Sequence, residues 1–215
     1  MTYTVKETFY SLQGEGAQTG RPAVFCRFAG CNLWSGEEKH RAAAECNFCD
    51  TEFVGADGLG GGKFKTAQAL ADALNGYWPH SSSSLGKPYV VFTGGEPLLQ
   101  LDSALIDAMH EHGFEVAVET NGTLAAPDNI DWLCVSPKGQ TTLVQTVGNE
   151  LKLVYPQAGV EPNQFVGLAF DHFYLQPLAP LSGALDENKQ ACLDYCLENP
   201  IWKLSQQTHK TLGIR

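Results

Sequence analysis

Six apolar, strand-like runs recur along this 215-residue chain, and five of them lead into polar or glycine- and proline-bearing motifs at the same end. Residues 23–30 (AVFCRFAG) lead into Gly30-Cys31, residues 89–95 (YVVFTGG) into Thr93-Gly94-Gly95-Glu96-Pro97, and residues 115–122 (EVAVETNG) into Glu119-Thr120-Asn121-Gly122. Residues 131–138 (DWLCVSPK) end in Ser136-Pro137-Lys138 and residues 172–179 (HFYLQPLA) in Gln176-Pro177-Leu178-Ala179; residues 150–156 (ELKLVYP) complete the set. Any one of these motifs alone reads as a turn. Together they point to one shared site, because parallel α/β sheets build their sites at the C-terminal ends of the strands.

Residues 3–10 alternate and add a candidate edge strand. Helical patterns cover residues 66–75, residues 98–112, with Leu98, Leu101, Leu105, Ile106 and Met109 on one stripe, and residues 187–198. The gaps after residues 122 and 138 are too short for comfortable crossover helices. The pattern predicts an α/β fold of about six parallel strands and three main helices. A complete eight-fold barrel needs about 250 residues, so an incomplete, open TIM-like barrel fits better. One domain over residues 1–215 is expected, with a C-terminal tail from about residue 200. Residues 58–62 (GLGGG) and 81–84 (SSSS) read as flexible loops. The glycine run could also cradle a phosphate, although no long strand precedes it.

Composition narrows the function classes. Fourteen Lys and Arg against 24 Asp and Glu give a net charge of −10, which disfavours bulk binding to nucleic-acid phosphates. No run approaches the ~18 apolar residues of a membrane span. No basic segment followed by an apolar stretch opens the sequence, so a cytoplasmic protein is expected.

Seven cysteines, an odd number, disfavour a disulfide framework and favour free thiols or a metal centre. Cys134, Cys192 and Cys196 lie in apolar or helical patterns and read as packing residues. Cys46 and Cys49 form a C-x2-C pair, and Cys31 precedes Cys46 with fourteen residues between them. Three thiolates with an open position suit a [4Fe–4S] cluster. Cys26 or His40 as a fourth ligand would instead give zinc. Strand alternation puts Val24, Cys26 and Phe28 on one face and Arg27 on the other, which argues against Cys26 as a ligand. Spacing alone leaves zinc and iron–sulfur equally open.

Cys31, Cys46, Phe48 and Cys49 together with Gly94-Gly95-Glu96-Pro97 resemble the radical S-adenosylmethionine (SAM) superfamily. Ser11-Leu12-Gln13-Gly14-Glu15-Gly16, Cys49-Asp50-Thr51, Glu119-Thr120-Asn121-Gly122, Ser136-Pro137-Lys138, Gln176-Pro177-Leu178 and Gln207-Thr208-His209-Lys210 narrow the resemblance to the 7-carboxy-7-deazaguanine synthases, over nearly the whole length. One departure stands out. The superfamily spacing is C-x3-C-x2-C, so eleven residues are inserted between the first two cysteines. The insert, within residues 34–45, reads as a short solvated helix that loops out.

The resemblance implies a [4Fe–4S] cluster on Cys31, Cys46 and Cys49. It implies SAM held by Phe48, Cys49, Asp50, Gly94, Gly95, Ser136, Pro137, Lys138, Gln176, Pro177, Leu178 and Ala179. It implies 6-carboxy-5,6,7,8-tetrahydropterin held by Leu12, Gln13, Gly14, Glu15, Arg27, Thr93 and His209, with Arg27 as carboxylate clamp. The alternative for Arg27 is an interior salt bridge to Glu15 or Glu119. The family's Mg²⁺ would sit on Thr51, although carboxylate chemistry alone would nominate Asp50. The implied reaction is reductive SAM cleavage, hydrogen abstraction from the pterin, ring contraction and loss of ammonia, with SAM regenerated. Implied partners are an electron donor such as flavodoxin or ferredoxin, and a second copy in a homodimer. Two other readings compete: another small radical SAM enzyme such as a glycyl-radical activase, and a non-enzymatic zinc-binding module.

Overall fold

The computed structural model describes residues 2–80, 86–179 and 185–215; the serine run expected as a loop, residues 81–84, lies outside them. A single nine-stranded sheet runs in the order β3-β1-β2-β4-β5-β6-β7-β8-β9 and does not close. The hairpin of β1 (Tyr3–Leu12) and β2 (Pro22–Phe28) is antiparallel, and the short β3 (Gly62–Phe64) pairs antiparallel with β1. From β2 onward every pairing is parallel, through β4 (Tyr89–Gly94), β5 (Glu115–Thr120), β6 (Trp132–Val135), β7 (Val147–Tyr155), β8 (Ala169–Pro177) and β9 (Trp202–Leu204). The open α/β barrel is therefore as expected, with one more parallel strand than the pattern showed. No helix among the described residues is long and apolar enough to cross a membrane.

The helices α1 (Ala67–Asn75), α2 (Ser103–Glu111) and α3 (Leu185–Glu198) cover the convex face. The Thr66 hydroxyl accepts from Ala69 N (3.1 Å) and starts α1, whose Leu70, Ala71 and Leu74 are buried. The continuous helix expected from residue 98 is split. Pro97–Leu99 makes one 3₁₀ turn, and Asp102 caps α2 anew by accepting from Leu105 N (3.1 Å). A fourth helix, α4 (Thr208–Leu212), docks the tail. No α-helix links β5 to β6 or β6 to β7.

Alternation along β2 fixes the two faces. Val24, Cys26 and Phe28 join the large core under the helices, with Leu70, Leu105, Ile106 and Met109. Ala23 and Phe25 face the concave side and join Phe9, Tyr89, Val91 and Ala117 in a small plug. This plug fills the strands' N-terminal half, so the concave space remains at their C-terminal ends. The glycine run is used structurally. Gly58 N donates to Lys6 O (3.0 Å), and the chain then forms β3 against β1, away from that space.

Candidate active site

A two-lobed cleft opens at the C-terminal ends of the strands. Glu15, Asp50, Thr51, Thr93, Glu119 and Gln207 line both lobes. Cys31, Cys46 and Cys49 reach the first lobe from the loop after β2. Leu33 N donates to Cys31 Sγ (3.4 Å). The Cys46 thiol donates to Cys49, which lowers Cys49 to about 6 and raises Cys46. The two candidate fourth ligands lie elsewhere. Cys26 is fully buried in the convex core, where burial pushes its thiol up. His40 is half-exposed and its Nδ1 bonds Ser35 Oγ (2.8 Å). Among the described residues no three His, Cys, Asp or Glu side chains converge on one ion. Three thiols spaced around a cleft, with Cys26 and His40 held elsewhere and no fourth partner among the described residues, fit a cubane bound through three irons better than a four-ligand zinc site.

The GGEP motif has structural reasons of its own. A Cβ on Gly95 would stand 2.3 Å from Gly30 O and 2.6 Å from Cys31 Cβ, so its absence lets the ends of β2 and β4 meet beside the first thiol. Glu96 is fully buried, and burial raises its pKa; it accepts from Thr120 Oγ1 (2.7 Å), Asn121 N (2.8 Å) and Leu98 N (2.9 Å). It thereby ties the GGEP turn to the Glu119-Thr120-Asn121-Gly122 edge.

The floor between the lobes is a buried charge network. Lys152 on β7, with its side chain 3% exposed, donates to Glu15 Oε2 (2.7 Å) and Glu119 Oε2 (2.8 Å). Gln176 (3.1 Å) and Gln207 (2.9 Å) donate to Glu15 Oε1, and Gln13 Nε2 donates to Glu119 Oε1 (2.7 Å). Burial would raise the Glu15 pKa, but Lys152, with help from the Gln207 amide, overcomes it and holds the carboxyl at about 2. Burial opposes the Lys152 charge, and Glu119 and Glu15 more than restore it, leaving its pKa well above the ordinary lysine value.

The second lobe gathers Leu12, Gln13, Gly14, Glu15, Arg27, Thr93 and His209. The tail closes this lobe rather than fraying. Thr208 N and Oγ1 both donate to Gly14 O (2.9 Å each), Lys210 Nζ donates to Asp50 Oδ2 (2.6 Å), and a Cβ on Gly14 would lie 2.2 Å from His209 Nδ1.

Sequence comparison decides the family. The chain is 60% identical over 215 residues to the 7-carboxy-7-deazaguanine synthase of Bradyrhizobium diazoefficiens, covering all of both chains. It is 58% identical over 214 residues to that of Bordetella pertussis, again with both chains fully covered. The chain belongs to the 7-carboxy-7-deazaguanine synthase family. The synthase of Bacteroides thetaiotaomicron shares 40% identity over 215 residues, with both chains fully covered. No family model matches the chain. Among solved structures, the crystal structure of QueE from Escherichia coli matches with a TM-score of 0.66 at 23% identity, over 96% of this chain and 94% of that one, which bears on the fold.

Against this family member's cleft, the residues predicted for SAM fall in the first lobe: Phe48, Cys49, Asp50, Gly94, Gly95, Ser136, Lys138 and residues 176–179. Pro137 does not line it; its carbonyl accepts from Gln157 Nε2 (3.3 Å). Lys138 turns back on its own loop, donating to Ser136 O (2.8 Å) and to Ser136 Oγ. The interior salt bridge considered for Arg27 takes a different partner. Its Nε donates to Glu7 Oε1 (2.9 Å), its neighbour across the β1–β2 register, while Glu15 and Glu119 are engaged by Lys152. The insert forms the expected short, solvated helix, of 3₁₀ type and with no buried residue, but it does not simply loop out. Glu38–Ala43 is a 3₁₀ segment whose Arg41 reaches back to the cysteine loop. Lys152 and Trp34 also line the cleft and belong to none of the sequence motifs, while Asn121 and Gln207 belong to the quoted motifs and gain a place in the site from the structure. Lys152 had a visible signal, since Glu150 and Lys152 place charge at alternate positions of an otherwise apolar run.

Proposed function

We propose that the chain converts 6-carboxy-5,6,7,8-tetrahydropterin to 7-carboxy-7-deazaguanine with loss of ammonia, in a Mg²⁺-dependent radical SAM reaction. The observation that carries this reading is the continuity of the two lobes. A thiol-lined lobe opens directly onto one that holds a guanidinium, an ionised carboxylate and a peptide edge. Cys31, Cys46 and Cys49 would hold the [4Fe–4S] cluster, and Thr51, which lines both lobes, would meet Mg²⁺. When bound, the cluster and SAM supply the one-electron chemistry that abstracts hydrogen, with electrons from a flavodoxin- or ferredoxin-type donor.

The chain's own residues bind, orient and exclude water. Arg27, fixed through Nε by Glu7, presents its guanidinium to the substrate carboxylate. Glu15, held ionised, offers only acceptors and suits an amino or ring N–H edge. Gln13, buried and anchored on Glu119, sets the pitch of the peptide edge from Leu12 to Gly14. The docked tail brings His209 over Gly14 and limits solvent entry.

Anaerobic, reconstituted protein incubated with SAM, a reductant, Mg²⁺ and the carboxytetrahydropterin should yield 7-carboxy-7-deazaguanine by mass spectrometry. SAM cleavage without that product would replace this reading with another radical SAM activity. Tightly held zinc without iron or sulfide would replace both.

A further inference from the structure

The eleven-residue insertion brings one side chain back to the cysteine loop. Arg41 Nη1 donates to Cys49 O (2.9 Å) and Asn47 O (3.1 Å), and Nε donates to both oxygens of Glu38 (2.9 and 2.8 Å). Its guanidinium stacks 4.1 Å over the Trp34 ring. Trp34 is buried, packs edge-on to Phe53 (5.6 Å, 87°), and donates from Nε1 to Glu37 O (3.3 Å). The Arg41 side chain is 15% exposed although it lies in an otherwise solvated segment.

We propose that Arg41 is a positioning residue for the Cys46–Cys49 turn, and that the insertion exists in the structure as a brace for that turn. The argument is geometric. A C-x2-C turn in a loop this long has high closure freedom, and its carbonyls have to be oriented for both thiols to face one ligand. A planar guanidinium clamps two carbonyls of the turn with one nitrogen, while Glu38 fixes the fork from outside and Trp34 from below. Trp34 also lines the first lobe, so the same stack supports the cleft wall. A lysine could supply the charge and donors from one nitrogen, but neither the planar stack on Trp34 nor the second nitrogen that Glu38 holds. The cluster is part of the reading above, but the bracing of the turn is a property of the chain itself.

The test compares wild type with Arg41→Gln and Arg41→Lys. In cluster-free protein, endoproteinase Glu-C cuts after Glu37, Glu38 and Glu45, which none of the variants removes. Arg41→Gln should be cut there several-fold faster than wild type, with Arg41→Lys in between and melting temperatures matched. In reconstituted protein, iron loss to a chelator should follow the same order. Equal cutting and equal iron loss in Arg41→Gln and wild type would overturn the proposal. If Arg41→Gln fails to fold, Arg41→Lys decides: wild-type values for both rates refute the fork, and rates above wild type at a matched melting temperature support it. A wild-type protein that assembles no iron–sulfur cluster would sink the proposed function, while the proteolysis still judges Arg41.

Discussion

Replacing Lys152 by Met removes the single cation that Glu15 and Glu119 share and leaves both carboxylates in a cleft floor built around it. Truncating one partner of a buried pair costs about 3–5 kcal/mol, because the other charge is left without compensation. The Glu15 pKa points the same way: with Lys152 beside it the buried carboxyl is held below its ordinary value, so its ionised form stabilises the folded chain at neutral pH. A carboxylate whose folded pKa is depressed stabilises above its unfolded pKa and loses that contribution as pH falls through the folded value. In Lys152→Met burial instead raises the Glu15 carboxyl, and taking up a proton relieves the strain. The gap between variant and wild type should therefore be widest near pH 7 and should narrow as pH falls toward about 4. Urea unfolding at several pH values reads it directly. The expected Tm loss at neutral pH is about 6–20 °C for a chain of this length. Adding Glu15→Gln to Lys152→Met should recover part of the loss, since it removes one of the uncompensated charges. A gap below about 1 kcal/mol at neutral pH, or one that does not change with pH, would refute the assignment of Lys152 as the counter-charge.

Three further outcomes follow from the geometry. Cys31→Ala, Cys46→Ala and Cys49→Ala should each abolish iron–sulfur assembly, while Cys26→Ala, behind the sheet, should assemble normally; iron and sulfide content with the visible spectrum checks this. Arg27→Ala should weaken pterin binding by about tenfold or more and leave SAM binding within about twofold, as read by calorimetry for each ligand; equal loss of both would make it structural. Gly95→Ala should lose about 1–3 kcal/mol and cluster occupancy together, because a Cβ there forces Gly30 and Cys31 away from β4; unfolding and iron content measured on one preparation would show whether the two losses coincide.

Much of this site was readable in the sequence because it depends on local signals. Alternation along residues 23–29 placed Cys26 behind the sheet and Arg27 inside it, since the period of two is fixed by the pleat. The polar endings of the strands marked one edge because a parallel sheet gathers them there. What escaped the reading depends on contacts far apart along the chain. Arg27 took Glu7 because a register pairing sets its neighbour, and no local pattern states a register. The three-residue β9 is held by β8 and by the cover of α3, both distant from any local pattern. The insert looked solvated because its composition is charged, yet composition does not reveal that one guanidinium folds back onto two carbonyls.

Glu15 shows why such contacts decide the site. Its carboxylate accepts from Lys152 on β7, Gln176 on β8 and Gln207 in the tail, while its own backbone N–H donates to Gln13 Oε1 (3.2 Å). Next to it, Gly16 N donates to Ser205 Oγ (3.0 Å) and Ala17 N to Glu150 Oε2 (2.9 Å). The loop after β1 is thus anchored by residues from the far edge of the sheet and from the last helix. These partners lie far apart along the chain, on β7, on β8, after β9 and in the tail, so the loop takes its place only when those parallel strands are paired. The geometry of the second lobe therefore reports on the whole sheet. A distant change that loosens β8, β9 or α4 should act on the cleft through Glu15 before it acts on the cysteine loop.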